Sequence, residues 1–179
     1  MKELEDFVDV AIREFKKLRK LAEDAVSQIT EAQFFHHESP GDNSIAIIYK
    51  HVSGNMISRW TDFLTTDGEK PSRNRDPEFL ILESDTYESL VSKWNKAWRI
   101  LFATLRSLES EDLVLMVKIR GENLSVLQAI SRQMTHYAYH VGQIVYAAKH
   151  LSGSKWNSLS IPVGNSAEFN KSPSKYIDK

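Results

Sequence analysis

Apolar residues recur at spacings of three and four along four long stretches of the chain, the signature of amphipathic helices. The first runs through Phe7, Ala11, Phe15, Leu18, Ala22, Ala25 and Ile29 and predicts a helix over residues 2–29. The second, Ile45, Ile48, Val52, Met56, Trp60 and Phe63, follows the capping-type residues Asp42, Asn43 and Ser44. It should stop near Thr66, just before Asp67-Gly68. The third, from Tyr87 through Trp94 and Trp98 to Leu108, follows Asp85 and Glu88, spaced as a capping box. The fourth, from Leu127 through Tyr137 and Val141 to Leu151, opens on a second such pair, Ser125 and Gln128, and ends at Ser152-Gly153.

The segments between these helices are polar or irregular. Residues 30–41 read as a connection. Residues 67–84 form a long charged loop containing Pro71 and Pro77, of a length that suits a lid or a plain exposed loop. Leu113 to Ile119 is rich in β-branched residues and predicts a short strand or an extended crossing segment. Residues 154–170 lack helical period and predict an irregular strap, and 171–179 a frayed polar tail. The expected fold is all-α: one domain over residues 1–170, a four-helix bundle with crossover connections.

Composition narrows the chemistry. With no cysteine, the chain can hold no disulfide, iron–sulfur cluster or cysteine nucleophile, so any metal must sit on His, Asp or Glu. A formal net charge of -1 gives no footing for nucleic-acid binding. No apolar run reaches the length of a membrane span, and the charged N-terminal stretch has no apolar segment of a signal peptide. The expectation is a cytoplasmic protein acting on a small molecule, without nucleic acid or membrane as partner.

Six histidines then stand out. His136 and His140 are spaced i and i+4, so on a helix both imidazoles share one face and can reach one ion. The glutamate of the HExxH motif is absent, since Tyr137 follows His136. These two histidines lie in a stripe, Gln133, His136, His140, Gln143 and Ala147, beside the apolar face of the fourth helix. On the second helix a matching stripe runs through Ile47, His51, Asn55, Ser58 and Asp62, which places His51 mostly inside. Two such stripes can meet across a bundle core, where folds of this kind hold metals. Imidazoles buried together need partners for their nitrogens, and a metal, an aspartate or waters would each serve. His36 and His37 read as surface residues, and His150 suits the end of a helix dipole.

The pattern of His51 and Trp60, with His136-Tyr-Ala-Tyr-His140-Val-Gly142-Gln143-Ile144, resembles the DinB-like superfamily of metalloenzymes. So do the segments Thr65 to Pro71 and Trp156 to Pro162, so that the likeness covers nearly the whole chain. The resemblance implies a four-helix bundle, a divalent metal (zinc or nickel) on His51, His136 and His140, and a homodimer. It also implies transfer chemistry with a low-molecular-weight thiol such as bacillithiol. Asn55 and Arg59 would then line the pocket and meet a carboxylate of the thiol, Arg59 being otherwise a solvated cation. Gln143 would hold a hydrogen bond behind a metal ligand or to a backbone carbonyl. Two other outcomes stay open: a metal-dependent hydrolase, and a non-catalytic dimeric bundle acting in stress physiology through a partner.

Overall fold

The computed structural model describes residues 2–39 and 41–172. Besides three short 3₁₀ turns (Asp76–Phe79, Ser110–Val114 and Gly153–Lys155), six α-helices and one antiparallel strand pair make up its regular structure: α1 (Lys2–Val26), α2 (Glu31–Phe35), α3 (Ile45–Trp60), α4 (Tyr87–Arg106), β1 (Met116–Ile119), β2 (Glu122–Ser125), α5 (Val126–Ser152) and α6 (Ser166–Lys171). Among the described residues, no helix is long and apolar enough to cross a membrane.

The four long helices lie where the apolar periodicity predicts them. α3 packs along α4 and α1 along α5, while α3 also meets α5 and α1 meets α4. Their apolar faces share one core. Phe15 of α1 sits edge-on to Trp60 of α3 and Trp98 of α4, and Tyr49 of α3 stacks on Trp94 at 4.1 Å. The central helix is α3, in which every residue but Gly54 and Ile57 is buried. It therefore carries buried polar groups (Lys50, His51, Ser53, Asn55, Ser58 and Arg59) that need partners from neighbouring segments.

Several boundaries differ from the expected ones, each for a local reason. α1 ends at Val26 rather than residue 29, because Gln28 and Ile29 donate to carbonyls three residues back and tighten the chain out of α-geometry. The expected connection over 30–41 contains α2, closed by a Thr30–Gln33 capping box. One turn is too short to show periodicity, and only Phe34 in it is buried, against Tyr49 and Tyr87. α3 stops at Trp60, not near Thr66. Asp62 adopts φ 49°, and the Thr104 hydroxyl takes the Trp60 carbonyl at 2.8 Å.

The cap of α4 is Thr86 with Ser89, not Asp85 with Glu88. Asp85 is used elsewhere: its carboxylate holds the buried Lys50 ammonium at 2.5 Å and the Leu82 N–H at 2.8 Å. The β-branched run becomes β1, paired with β2 in the register Met116↔Ser125 to Ile119↔Glu122. Arg120 and Gly121 turn the hairpin with φ 56° and 78°, the positive pair a tight two-residue turn needs. α5 begins and ends as expected, with the Ser125–Gln128 box and Gly153 at φ 54°.

The strap is partly regular. Gln28 grips Asn157 through two hydrogen bonds, Trp156 and Leu159 pack on the core, and α6 follows. A boundary between residues 170 and 171 would cut α6, and residues 173–179 of the expected tail lie outside the described ones.

Candidate metal centre

His51 comes from the middle of α3, and His136 and His140 from successive turns of α5. Where these helices face each other, the three rings converge. Ring centroids lie 5.7 Å apart for His51–His136, 5.0 Å for His51–His140 and 4.7 Å for His136–His140. His51 is 5% exposed, and the other two are half-buried. One ring nitrogen from each lies within 4.8 Å of the others, and the His136 and His140 Nε2 atoms are 3.1 Å apart. A tetrahedral ion bound at about 2.0–2.1 Å holds its nitrogens about 3.4 Å from one another. The observed spacings bracket that value.

Two of the rings are aimed from behind. His51 Nδ1 donates to Glu78 Oε2 at 2.9 Å, and His140 Nδ1 donates to Gln143 Oε1 at 2.8 Å. Each bond puts the proton on Nδ1 and leaves the Nε2 lone pair for the cluster, the arrangement seen behind metal-bound imidazoles. A carboxylate thus answers one imidazole, but on the atom facing away from the other rings. Burial, then the neighbouring His140, His51, Arg59 and Arg73, push His136 down to about 3. Burial also lowers His140, with the Gln143 bond opposing and His51 adding to it. At neutral pH both are neutral, the form that ligates. Imidazole nitrogen donors with this spacing and support fit a divalent metal.

Glu78 was not legible as a site residue. It lies in a 3₁₀ turn, Asp76–Phe79, inside the loop expected over 67–84. Burial alone would raise its carboxyl. Hydrogen bonds from His51 and Arg73, with the Arg73 charge, outweigh burial and hold it below the usual carboxylate range. Arg73 meets it through both Nε and Nη2, at 2.9 and 2.7 Å. The carboxylate lies directly against Gly54 of α3, where a Cβ would collide with it. A mid-helix glycine costs about 1 kcal/mol relative to alanine. That anomaly was the one sequence signal of a close approach.

The other expected site residues have defined places. Arg59 is buried, not solvated: Nη1 donates to the Gly68 carbonyl and to Glu69 at 2.8 Å. Asn55 accepts from the Tyr137 hydroxyl at 3.0 Å, and that hydroxyl accepts from Trp60 Nε1. Both residues line a cavity of about 210 Å³ that begins at His51 and His136. Gln143 meets the His140 Nδ1 through Oε1 at 2.8 Å and donates from Nε2 to the Tyr139 hydroxyl at 3.2 Å. His36, His37 and His150 are exposed and stand apart from the cluster, with His36 and His150 near Glu38 at 3.5 and 3.3 Å.

A family model described as "Protein of unknown function (DUF1572)" matches residues 2–165. No curated protein and no solved structure matches the chain.

Proposed function

We propose that this chain, which belongs to the family described as "Protein of unknown function (DUF1572)", is a DinB-like four-helix bundle that holds one divalent metal, zinc or nickel, on His51, His136 and His140, and that it is a thiol S-transferase. The observation behind this reading is the meeting of three imidazoles, two of them oriented through Nδ1. The bundle reading rests on the pairwise packing of the four long helices and on the sequence resemblance, which also extends to a homodimer.

Three imidazole ligands would leave a coordination position open, as catalytic sites do. A metal bound there supplies the positive charge that makes a thiol acidic near neutral pH. The chain has no cysteine, so the sulfur is that of a low-molecular-weight thiol such as bacillithiol. Glu78 and Gln143 hold the ring protons of His51 and His140 on Nδ1 and keep the two rings in place. Beside the cluster, Trp60 Nε1 donates to the Tyr137 hydroxyl, which donates to Asn55 Oδ1, and this chain fixes the Asn55 side chain at the cavity wall.

Elemental analysis of untagged protein tests the metal. About one zinc or nickel per chain is expected, with loss in each of His51→Ala, His136→Ala and His140→Ala. Metal-loaded protein should then consume bacillithiol with monochlorobimane faster than the His51→Ala variant. Equal rates would refute the transferase.

A further inference from the structure

The cavity beside the imidazoles is lined by five arginines, Arg59, Arg73, Arg75, Arg120 and Arg132, together with Gln133. We infer that it binds the acidic end of the substrate, a small carboxylate that also carries a hydrogen-bond donor such as a hydroxyl or amide. As a statement about substrate this rests on the metal reading; as a binding site it rests on the cavity alone.

The charge balance comes first. Three carboxylates, Glu69, Glu78 and Glu122, make ion pairs with four of the five guanidiniums, those of Arg59, Arg73, Arg120 and Arg132. The nearby Asp67 carboxylate is occupied by the backbone N–H groups of Glu69, Arg120 and Gly121. Its charge still acts on Arg59, so five guanidiniums face four carboxylates and one positive charge is left over. Arg75 makes no carboxylate ion pair among the described residues and stands over the Phe79 ring at 4.7 Å. Arg132 reaches only Glu122, at 3.2 Å, and both side chains are about half exposed. Such solvent-screened surface pairs are weak and yield readily to a better partner. A planar guanidinium fork matches a carboxylate.

The orphaned polar atoms come second. Among the described residues, Arg59 Nε and Gln133 Oε1 are buried without a hydrogen-bond partner, in side chains 5% and 4% exposed. Leaving such atoms unsatisfied costs the desolvation of each without a compensating hydrogen bond. Both residues line this cavity. One orphan is a donor and asks for an anion, while the other is an acceptor and asks for an O–H or N–H. A bare anion would answer only the first, whereas a hydroxy- or amido-carboxylate answers both. The volume of about 210 Å³ limits the ligand to a small acid.

Titration calorimetry with two matched dicarboxylates tests this, tartrate carrying hydroxyls and succinate none. It is run on protein as purified and after chelator dialysis, beside elemental analysis. Tartrate should bind about tenfold tighter than succinate, and Gln133→Met should abolish that preference. The double variant Arg75→Ala/Arg132→Ala, which changes only exposed residues, should weaken both acids about tenfold or more. Arg99→Ala, an exposed arginine of α4 outside the cavity, should change neither. The inference fails if neither acid binds folded parent protein, if the double variant binds as well as the parent, or if inorganic phosphate binds as tightly as tartrate. One metal per chain without acid binding would overturn this inference and leave the metal site. Arginine-dependent acid binding in a protein that never holds metal would do the reverse.

Discussion

At Gly54 the usual rule for helix interiors is reversed. Alanine there would ordinarily stabilise α3 by up to about 1 kcal/mol. Here its Cβ would enter the space held by the Glu78 carboxylate, so Gly54→Ala should pull Glu78 away from His51. Glu78→Gln keeps the volume but removes the negative charge that holds the His51 proton on Nδ1. Loss of an outer partner of this kind typically costs 10–100-fold in metal affinity. Both variants should therefore weaken zinc binding by about that factor in a chelator-dye competition, while far-ultraviolet circular dichroism stays helical. Full zinc affinity in Glu78→Gln would mean that the carboxylate only fills a gap beside Arg73.

Between α3 and α4, the loop that carries Glu78 is tied down at its start. Asp67 accepts backbone N–H groups from Glu69, Arg120 and Gly121 at 2.7–2.8 Å, and Gly68 N–H donates to the Lys118 carbonyl at 2.8 Å. Ser58 and Arg59 donate to the Gly68 carbonyl from α3. Burial would raise the Asp67 carboxyl, but those three backbone bonds outweigh it and hold it below its ordinary value. A carboxyl lowered by folding stabilises the fold above its unfolded pKa, and that stability disappears as pH falls through the folded pKa. Asp67→Asn should thus cost about 1 kcal/mol in urea unfolding at pH 7. The gap between variant and parent should shrink as pH drops below about 3.9. A gap that stays constant from pH 7 to pH 3 would show that the anchor acts through shape rather than charge. The helix that presents His51 has its own anchor: Ser44, 2% exposed, caps α3 by accepting the Ile47 N–H at 3.2 Å. Ser44→Ala should cost about 1 kcal/mol, read by the same unfolding curves.

Across the whole molecule, a metal on His51, His136 and His140 would cross-link α3 to α5. An ion that binds only the folded state stabilises it by about 2.7 kcal/mol at a free concentration one hundred times its Kd. For a chain of this size, each kcal/mol moves Tm by about 2–4 °C. Zinc should therefore raise the Tm of metal-free protein by roughly 5–10 °C, and the rise should vanish in His136→Ala. An equal rise in His136→Ala would place the binding elsewhere. The buried aromatic core of Phe15, Trp60, Trp94, Trp98 and Tyr137 does not involve the ion, so metal removal should lower Tm while leaving helix content unchanged.

The helical content, the four long helices, the caps at Ser44 and Ser125 and the His136–His140 pair were legible in the chain because each depends on neighbours within about four residues. Periodicity and capping are local, and an i, i+4 spacing becomes a shared face as soon as a helix forms. His51 was legible as an inward polar residue of α3. That it meets the α5 pair depends on how α3 and α5 pack, which periodicity does not encode. The roles of Glu78, Arg73 and Arg59 were hidden for the same reason. In the chain they are three charges in or beside a polar loop. The fold carries that loop back over α3, where Gly54 leaves room for a carboxylate and Glu69 meets Arg59, Arg73 and Arg120. The cationic cavity is likewise assembled from α3, the loop, the β1–β2 turn and α5. A local pattern can mark each residue as polar, but packing selects which charges find partners and which buried atoms are left without one.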